Sequence, residues 1–179
     1  MNIVHIEDEP WDSGIAHYAL TLAAEQARRG HRVAVWGDQF SPVLKQAAEF
    51  GLPTRGWESG PLGWLEIPSL RRELAAFAPD IVNAHTGSAH ALALLLAPKV
   101  AAIVRTRGDA RPPRSNLLTR LTASRTKTLI AANAVLKTQL EAAFPGTPVR
   151  LIPQGIEGPP GVSPMPGPPS VGIIARMDP

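Results

Sequence analysis

Residues 1–23, MNIVHIEDEPWDSGIAHYALTLA, decide the fold, and they allow two readings. A strand over NIVHI that runs into Glu7-Asp8-Glu9 looks like an acidic cluster placed to hold a metal ion. The same strand followed by Asp12-Ser13-Gly14 and a helix looks like an anion cradle. The first amides of a helix have no partners within it and carry the positive end of its dipole. The rest of the chain separates the two.

After the loop a helix is expected from about Ile15 to Arg29, with Ser13 as its cap, Arg28 and Arg29 at its negative end and Gly30 as its stop. HRVAVWG then supplies a second strand, so the first unit is a βαβ crossover. β-branched runs recur as DIVNAH, VAAIVRT, KTLIAA and PVRLI, with LPTRGW as a further short strand. Helical spacing covers 42–50, 68–77, 88–97, 115–124 and 133–144. The alternation predicts a doubly wound, mostly parallel Rossmann-like α/β sheet with helices on both faces.

At 179 residues, 44% hydrophobic and 18% charged, the chain can bury one sizeable core and is short for two domains. Residues 1–152 are expected to form that domain. The segment 153–170 is rich in Pro and Gly and reads as a linker. Residues 171–179, VGIIARMDP, then read as the first strand of a second, truncated domain. There is no cysteine, the first strand is followed at once by acids unlike a secretion signal, and the longest apolar run, 89–97, is too short to span a bilayer. A cytoplasmic protein is expected.

Charge is uneven along the chain. Residues 99–127 carry eight Lys/Arg against one Asp, +7 in a chain whose net charge is +3. This block has no aromatic residue, so it lacks the stacking platforms of single-strand nucleic-acid binders, and no nucleic-acid partner is expected. A phosphate-bearing ligand, an anionic membrane surface or a plain solvated face all suit it.

A receiver domain would need a phosphate-accepting Asp after the third strand, and no Asp lies between Asp38 and Asp80. A dinucleotide-binding module would need a compact G-x-G-x-x-G, and the first loop offers Gly14 alone, although Asp38 sits where a ribose-binding acid belongs. A non-enzymatic α/β binding or regulatory module of either kind is the alternative class. No spacing of His, Asp or Glu suggests a metal site.

Taken in order, LTLAAEQARRGHRVAVWG, PDIVNAH, VRTRGDARPP, KTLIAANAVLKTQL, VRLIPQGIE and VGIIARMDP look like the amino-terminal half of retaining GT-B glycosyltransferases of family four. The resemblance covers essentially the whole chain; RRGHRVAV and IPQGI are its more specific segments. It implies an acceptor-side domain facing a donor-binding domain, with a nucleotide sugar as substrate and no cofactor. Ser13-Gly14 resembles the loop, usually Gly-Gly, that approaches the donor diphosphate. Gln154 and Gly155 resemble the hinge, and Arg176 the arginine that opens the second domain's phosphate site. The lysine expected soon after it, the base pocket and the paired glutamates are not in this sequence, so the fragment alone is expected to be inactive.

Where many relatives carry a histidine near the reacting sugar, this chain has Gly108. His85, Arg107 and Asp109 therefore stand as catalytic candidates, and His85, Thr86, Arg107 and Arg111 as acceptor contacts. Arg107 either pairs with Asp109 or Asp80 or binds an acceptor phosphate. Arg111, Arg114, Arg120, Arg125 and Lys127 lie on and beside a helix with Leu117, Leu118 and Leu121 on its apolar side. That helix either packs its leucines inward or leans on anionic lipid, as a peripheral protein on the inner membrane face would when serving a carbohydrate or glycolipid acceptor.

Overall fold

The computed structural model describes residues 1–58, 61–98, 101–109 and 111–155. Seven parallel strands alternate with helices: β1 Asn2–Ile6, α1 Gly14–Arg28, β2 Arg32–Asp38, α2 Pro42–Glu49, β3 Thr54–Trp57, a 3₁₀ turn over Pro61–Glu66, α3 Ile67–Phe77, β4 Ile81–Ala84, α4 Gly87–Leu96, β5 Ala102–Arg107, α5 Leu117–Ser124, β6 Thr128–Ala131, α6 Ala134–Ala143 and β7 Val149–Leu151. The strand order is β3-β2-β1-β4-β5-β6-β7. It is the predicted doubly wound sheet, and LPTRGW supplies its β3 edge. The expected domain end at residue 152 falls one residue after β7; most of the linker and the strand expected over 171–179 lie outside the described residues.

Register assigns the two faces. In a parallel pair, partnered residues share a face, so Ala34, Val4, Val82 and Ile103 form one row. Trp36, Ile6, Ala84, Arg105 and Leu129 form the next row towards the carboxyl edge. These rows pack under α3 and α4 through Leu70, Leu74, Ala89, Ala93 and Leu96, and at the β6 end Leu129 packs on Leu136 and Leu140 of α6. Each fully buried leucine there contributes about 2 kcal/mol. The opposite face, with Ile3, Val33 and Val35, is covered by α1 and α2 through Ala16, Leu20, Ala23, Val43 and Leu44. One charged residue interrupts the second apolar row, and it is Arg105.

The strand ends of β1 and β2 press together at Gly37. The Glu7 amide donates to Trp36 O at 2.9 Å, and a Cβ on Gly37 would lie 2.1 Å from Glu7 O. Gly37→Ala is expected to cost roughly 1–3 kcal/mol by overpacking. For a domain of this size that lowers Tm by roughly 3–10 °C. Scanning calorimetry that finds an unchanged Tm contradicts this packing.

Helix starts follow side-chain caps. Ser13, Ser41, Thr86, Asn116 and Asn133 each accept the third amide of the helix they precede. Arg28 and Arg29, read as dipole partners of α1, also pair with Glu25, each at 2.8 Å.

Candidate functional site

The order of the sheet reverses direction at β1 and β4, where crossovers leave to opposite sides. In an open α/β sheet such a switch point leaves a crevice at the carboxyl edge where ligands bind. The loop after β1 and the turn after β4 meet there.

Ser13 sits at the N-cap of α1, its hydroxyl accepting from Ala16 N at 3.1 Å and donating to the Glu9 carboxylate. Thr86 repeats the arrangement at α4: its hydroxyl accepts from Ala89 N at 3.0 Å and donates to Asp8. The next residues are Gly14 and Gly87, both exposed, with nothing within 4 Å of where a Cβ would stand. The cap takes the third amide of α1, and those of Gly14 and Ile15 make no hydrogen bond among the described residues. The Ser13-Gly14 turn, expected as a cradle, is therefore open and lies at the carboxyl edge of the sheet. The matching turn at Thr86-Gly87 went unread in the sequence, although a hydroxyl before a glycine at a strand end was its signal.

Glu7 lies beneath the loop, 0% exposed. Its Oε1 accepts from Glu9 N at 3.1 Å and its Oε2 has no partner. Burial, reinforced by the neighbouring charges of Glu9 and Asp8, pushes its carboxyl up to about 8. It is protonated at neutral pH, so the acidic loop carries less negative charge than its composition suggests.

His85 is 1% exposed and lies beneath the surface of the site rather than on it. Its Nε2 meets His5 Nδ1 at 2.9 Å, and His5 Nε2 meets Gln26 Oε1 at 2.7 Å. A carbonyl oxygen only accepts, so His5 carries its proton on Nε2 and accepts at Nδ1. His85 then donates from Nε2 and keeps a lone pair on Nδ1, which is buried without a partner. Burial lowers the His5 pKa to about 4 and that of His85 well below the usual value, with His5 and Arg105 adding to the latter. Both rings are neutral.

The expected Arg107 fork is occupied. Its Nε and Nη2 donate to Asp109 Oδ1 at 3.0 and 2.6 Å, and Nη2 also reaches Arg111 O at 3.0 Å. Asp109, not Asp80, is its partner; Asp80 instead accepts from the Asn2 amide at 2.7 Å. The Arg111 side chain is exposed nearby. Asp38, placed where a ribose-binding acid belongs, accepts from Phe40 N at 2.8 Å in the turn before α2. At the end of the described chain, the Gln154 side chain lies against Gly108, where a Cβ would come within 2.3 Å of its Nε2. Gln154 thus fills the space beside Gly108, the position at which the resemblance led to the expectation of a histidine. Gly155 is exposed, and Arg176 lies outside the described residues. Among the described residues no group of three or more His, Asp or Glu is arranged to hold a metal ion.

Fold and edge together define a doubly wound, Rossmann-like α/β domain with an open helix N-terminus at its switch point. The model of Glycosyltransferase Family 4 matches residues 13–157, and the chain belongs to that family. No curated protein matches it in sequence. Among solved structures, Anabaena Alr3699/HepE in complex with UDP and glucose is similar at TM-score 0.68 and 16% identity, over 87% of this chain and 45% of that one. Acinetobacter baumannii MurG gives TM-score 0.63 and 13% identity, over 87% and 46%. The lipopolysaccharide outer core galactosyltransferase WaaB gives 0.57 and 15%, over 84% and 44%. The chain thus spans less than half the length of these structures, and its fold is that of the amino-terminal half of a GT-B glycosyltransferase.

Proposed function

We propose that this chain is the acceptor-side half of an enzyme that moves a sugar from a nucleotide-sugar donor to an acceptor with retention of anomeric configuration. The observation that carries the reading is the open N-terminus of α1 at the switch point, in a chain of a glycosyltransferase family. Breaking the bond between an anomeric carbon and a diphosphate puts negative charge on the leaving group. The Gly14 and Ile15 amides are fixed dipoles at the edge where that group would lie, and a fixed donor at a developing charge contributes about 3 kcal/mol. The complex of HepE with UDP and glucose supports a nucleotide sugar as the donor. By resemblance, Arg176 approaches the same diphosphate from a second lobe beyond the Gln154-Gly155 hinge, and the donor is a substrate with no separate cofactor.

In this reading His85 is a positioning residue whose relay through His5 to Gln26 fixes the end of β4. Thr86 and Arg111 line the acceptor's approach. The test is transfer by the full-length protein from labelled UDP-, GDP- and ADP-sugars. One donor is expected to give product whose new linkage keeps the donor's configuration by proton NMR. Neither binding nor transfer with any of them contradicts the reading.

The acceptor proposed is a glycolipid at the inner, anionic face of a membrane, and α5 favours it. Leu117 is 85% exposed, Leu118 and Leu121 also face solvent, and Ala123 alone of this helix is buried. The leucines do not pack inward. Arg114, Arg120, Arg125 and Lys127 are exposed alongside them. Apolar residues rimmed by cations suit an anionic interface. Among the described residues no helix is long and apolar enough to cross a membrane; the contact proposed for α5 is a peripheral one. Sedimentation with phosphatidylglycerol vesicles at low salt is expected to pull the protein down, and Leu117→Asp with Leu118→Asp to weaken this roughly tenfold. Wild-type protein left in the supernatant at low salt removes the membrane part of the proposal.

A further inference from the structure

Arg105 is a charge in an apolar row, flanked in register by Ala84 and Leu129. It is 8% exposed, and its Nη1 donates to Ala84 O at 3.2 Å and Thr106 O at 2.7 Å. No carboxylate among the described residues lies within ion-pair distance of it. A buried guanidinium without a contact ion pair is costly, and burial lowers its pKa to about 10 although the charges of Asp109, Asp8 and Glu9 act on it from further away. Its neighbour Arg107 does have a carboxylate partner, which makes the omission at Arg105 specific.

Arg105 lines a cavity of about 450 Å³ between α4, β5, α5 and α6. Arg107, Arg111 and Arg114 also line it, against Asp109 as its one acid, and Gly87 brings in the open start of α4. His90 at the wall bonds Thr126 Oγ1 at 2.7 Å and is held neutral by burial, its pKa lowered to about 4. Leu129, Leu140 and Phe144 form an apolar floor, and Leu118 of the exposed α5 face stands at its side. A second cavity of about 360 Å³, across α4, is lined by Asp8 and Glu58 with no cation, so positive charge is a property of this cavity and not of the whole edge.

We propose that this cavity binds the phosphate of an alkyl phosphate, with Arg105 as the buried counter-charge, Arg111 and Arg114 at the rim, and the alkyl stem on the Leu129, Leu140 and Phe144 floor. That the ligand is an acceptor headgroup rests on the transferase reading; that the cavity takes a phosphate joined to an apolar stem does not. The Thr86 to Asp8 bond ties the start of α4 to the loop before α1, so a headgroup here lies beside the donor edge.

Calorimetric titration of the full chain with octyl phosphate below its micelle concentration tests this, with inorganic phosphate and octyl glucoside as comparisons. Octyl phosphate is expected to bind at least tenfold more tightly than either. Arg105→Gln is expected to abolish the difference, and Arg114→Ala, at an exposed position that leaves folding intact, to weaken octyl phosphate severalfold. Equal affinity for octyl glucoside overturns the phosphate site, equal affinity for inorganic phosphate overturns the apolar floor, and arginine variants that bind unchanged overturn the assignment. Transfer from nucleotide sugars by the full-length protein is assayed separately: no transfer with octyl phosphate binding intact counts against the transferase reading alone.

Discussion

At pH 8.5, Glu7→Gln is expected to be more stable than the wild type by roughly 4 kcal/mol, the largest single effect the structure implies. The sign follows from proton counts. The folded pKa of Glu7 is raised from 4.5 to about 8, so between these values the native state holds a proton that the unfolded chain releases. Its contribution is fully present below pH 4.5 and is lost as pH rises through 8. The histidines act oppositely. His5 and His90 fall from 6.5 to about 4 and burial holds His85 well below its usual value, so their contribution is present above pH 6.5 and is lost as pH falls. Three histidines outweigh one carboxyl on the acid side, which puts maximal stability between about pH 6.5 and 7 and a loss of about 1 kcal/mol from there to pH 8.5. Urea midpoints from the optimum to pH 8.5 are expected to fall in the wild type and to rise slightly in Glu7→Gln, where only the histidine contribution remains. A wild-type midpoint that is flat above pH 6.5 means that Glu7 is ionised, and the buried-acid account is then wrong.

Gly14→Val is expected to weaken UDP-sugar binding by about ten- to a hundredfold with little change in Tm. Two facts separate function from folding here. Gly14 is not among the glycines with positive φ, and no atom lies within 4 Å of its added Cβ, so the fold has no need of glycine. A ligand phosphate does, because a side chain at that point stands between it and the amides, and a hydrogen bond to a charged group is worth about 1.5–3 kcal/mol. Glu9→Gln should move the other way. Its carboxylate holds Ser13 at the mouth of the cradle, where an incoming diphosphate meets a like charge. Neutralising it is expected to tighten binding roughly fivefold, about 1 kcal/mol, and less at high salt. If both variants bind as the wild type does, the diphosphate lies elsewhere.

The sheet was legible because period and punctuation agreed at each crossover. β-branched runs marked strands, and Ser13 with Gly30 bracketed α1. Helix bounds differed by one or two residues, chiefly where a cap was read as the first turn, as at Asn133 before α6. The site was half legible. Ser13-Gly14 stood out because a small pair between strand and helix is a local signal. Glu7, Glu9 and Arg105 did not, since their roles depend on what a folded neighbour withholds or supplies. Acids after a strand look solvated until one is buried, and an arginine in VRTR looks like an edge charge until register places it in an apolar row. The α5 leucines show the converse: their spacing left a core-facing stripe and an outward apolar face equally open, and the fold leaves them to solvent.

Amide NMR on the ¹⁵N-labelled chain, titrated with UDP-glucose and with pyrophosphate, examines the α1 cradle most directly. The Gly14 and Ile15 resonances are predicted to shift saturably with both ligands, and to stop shifting in Gly14→Val. Saturable shifts confined to other amides, with Gly14 and Ile15 unmoved, would contradict the account.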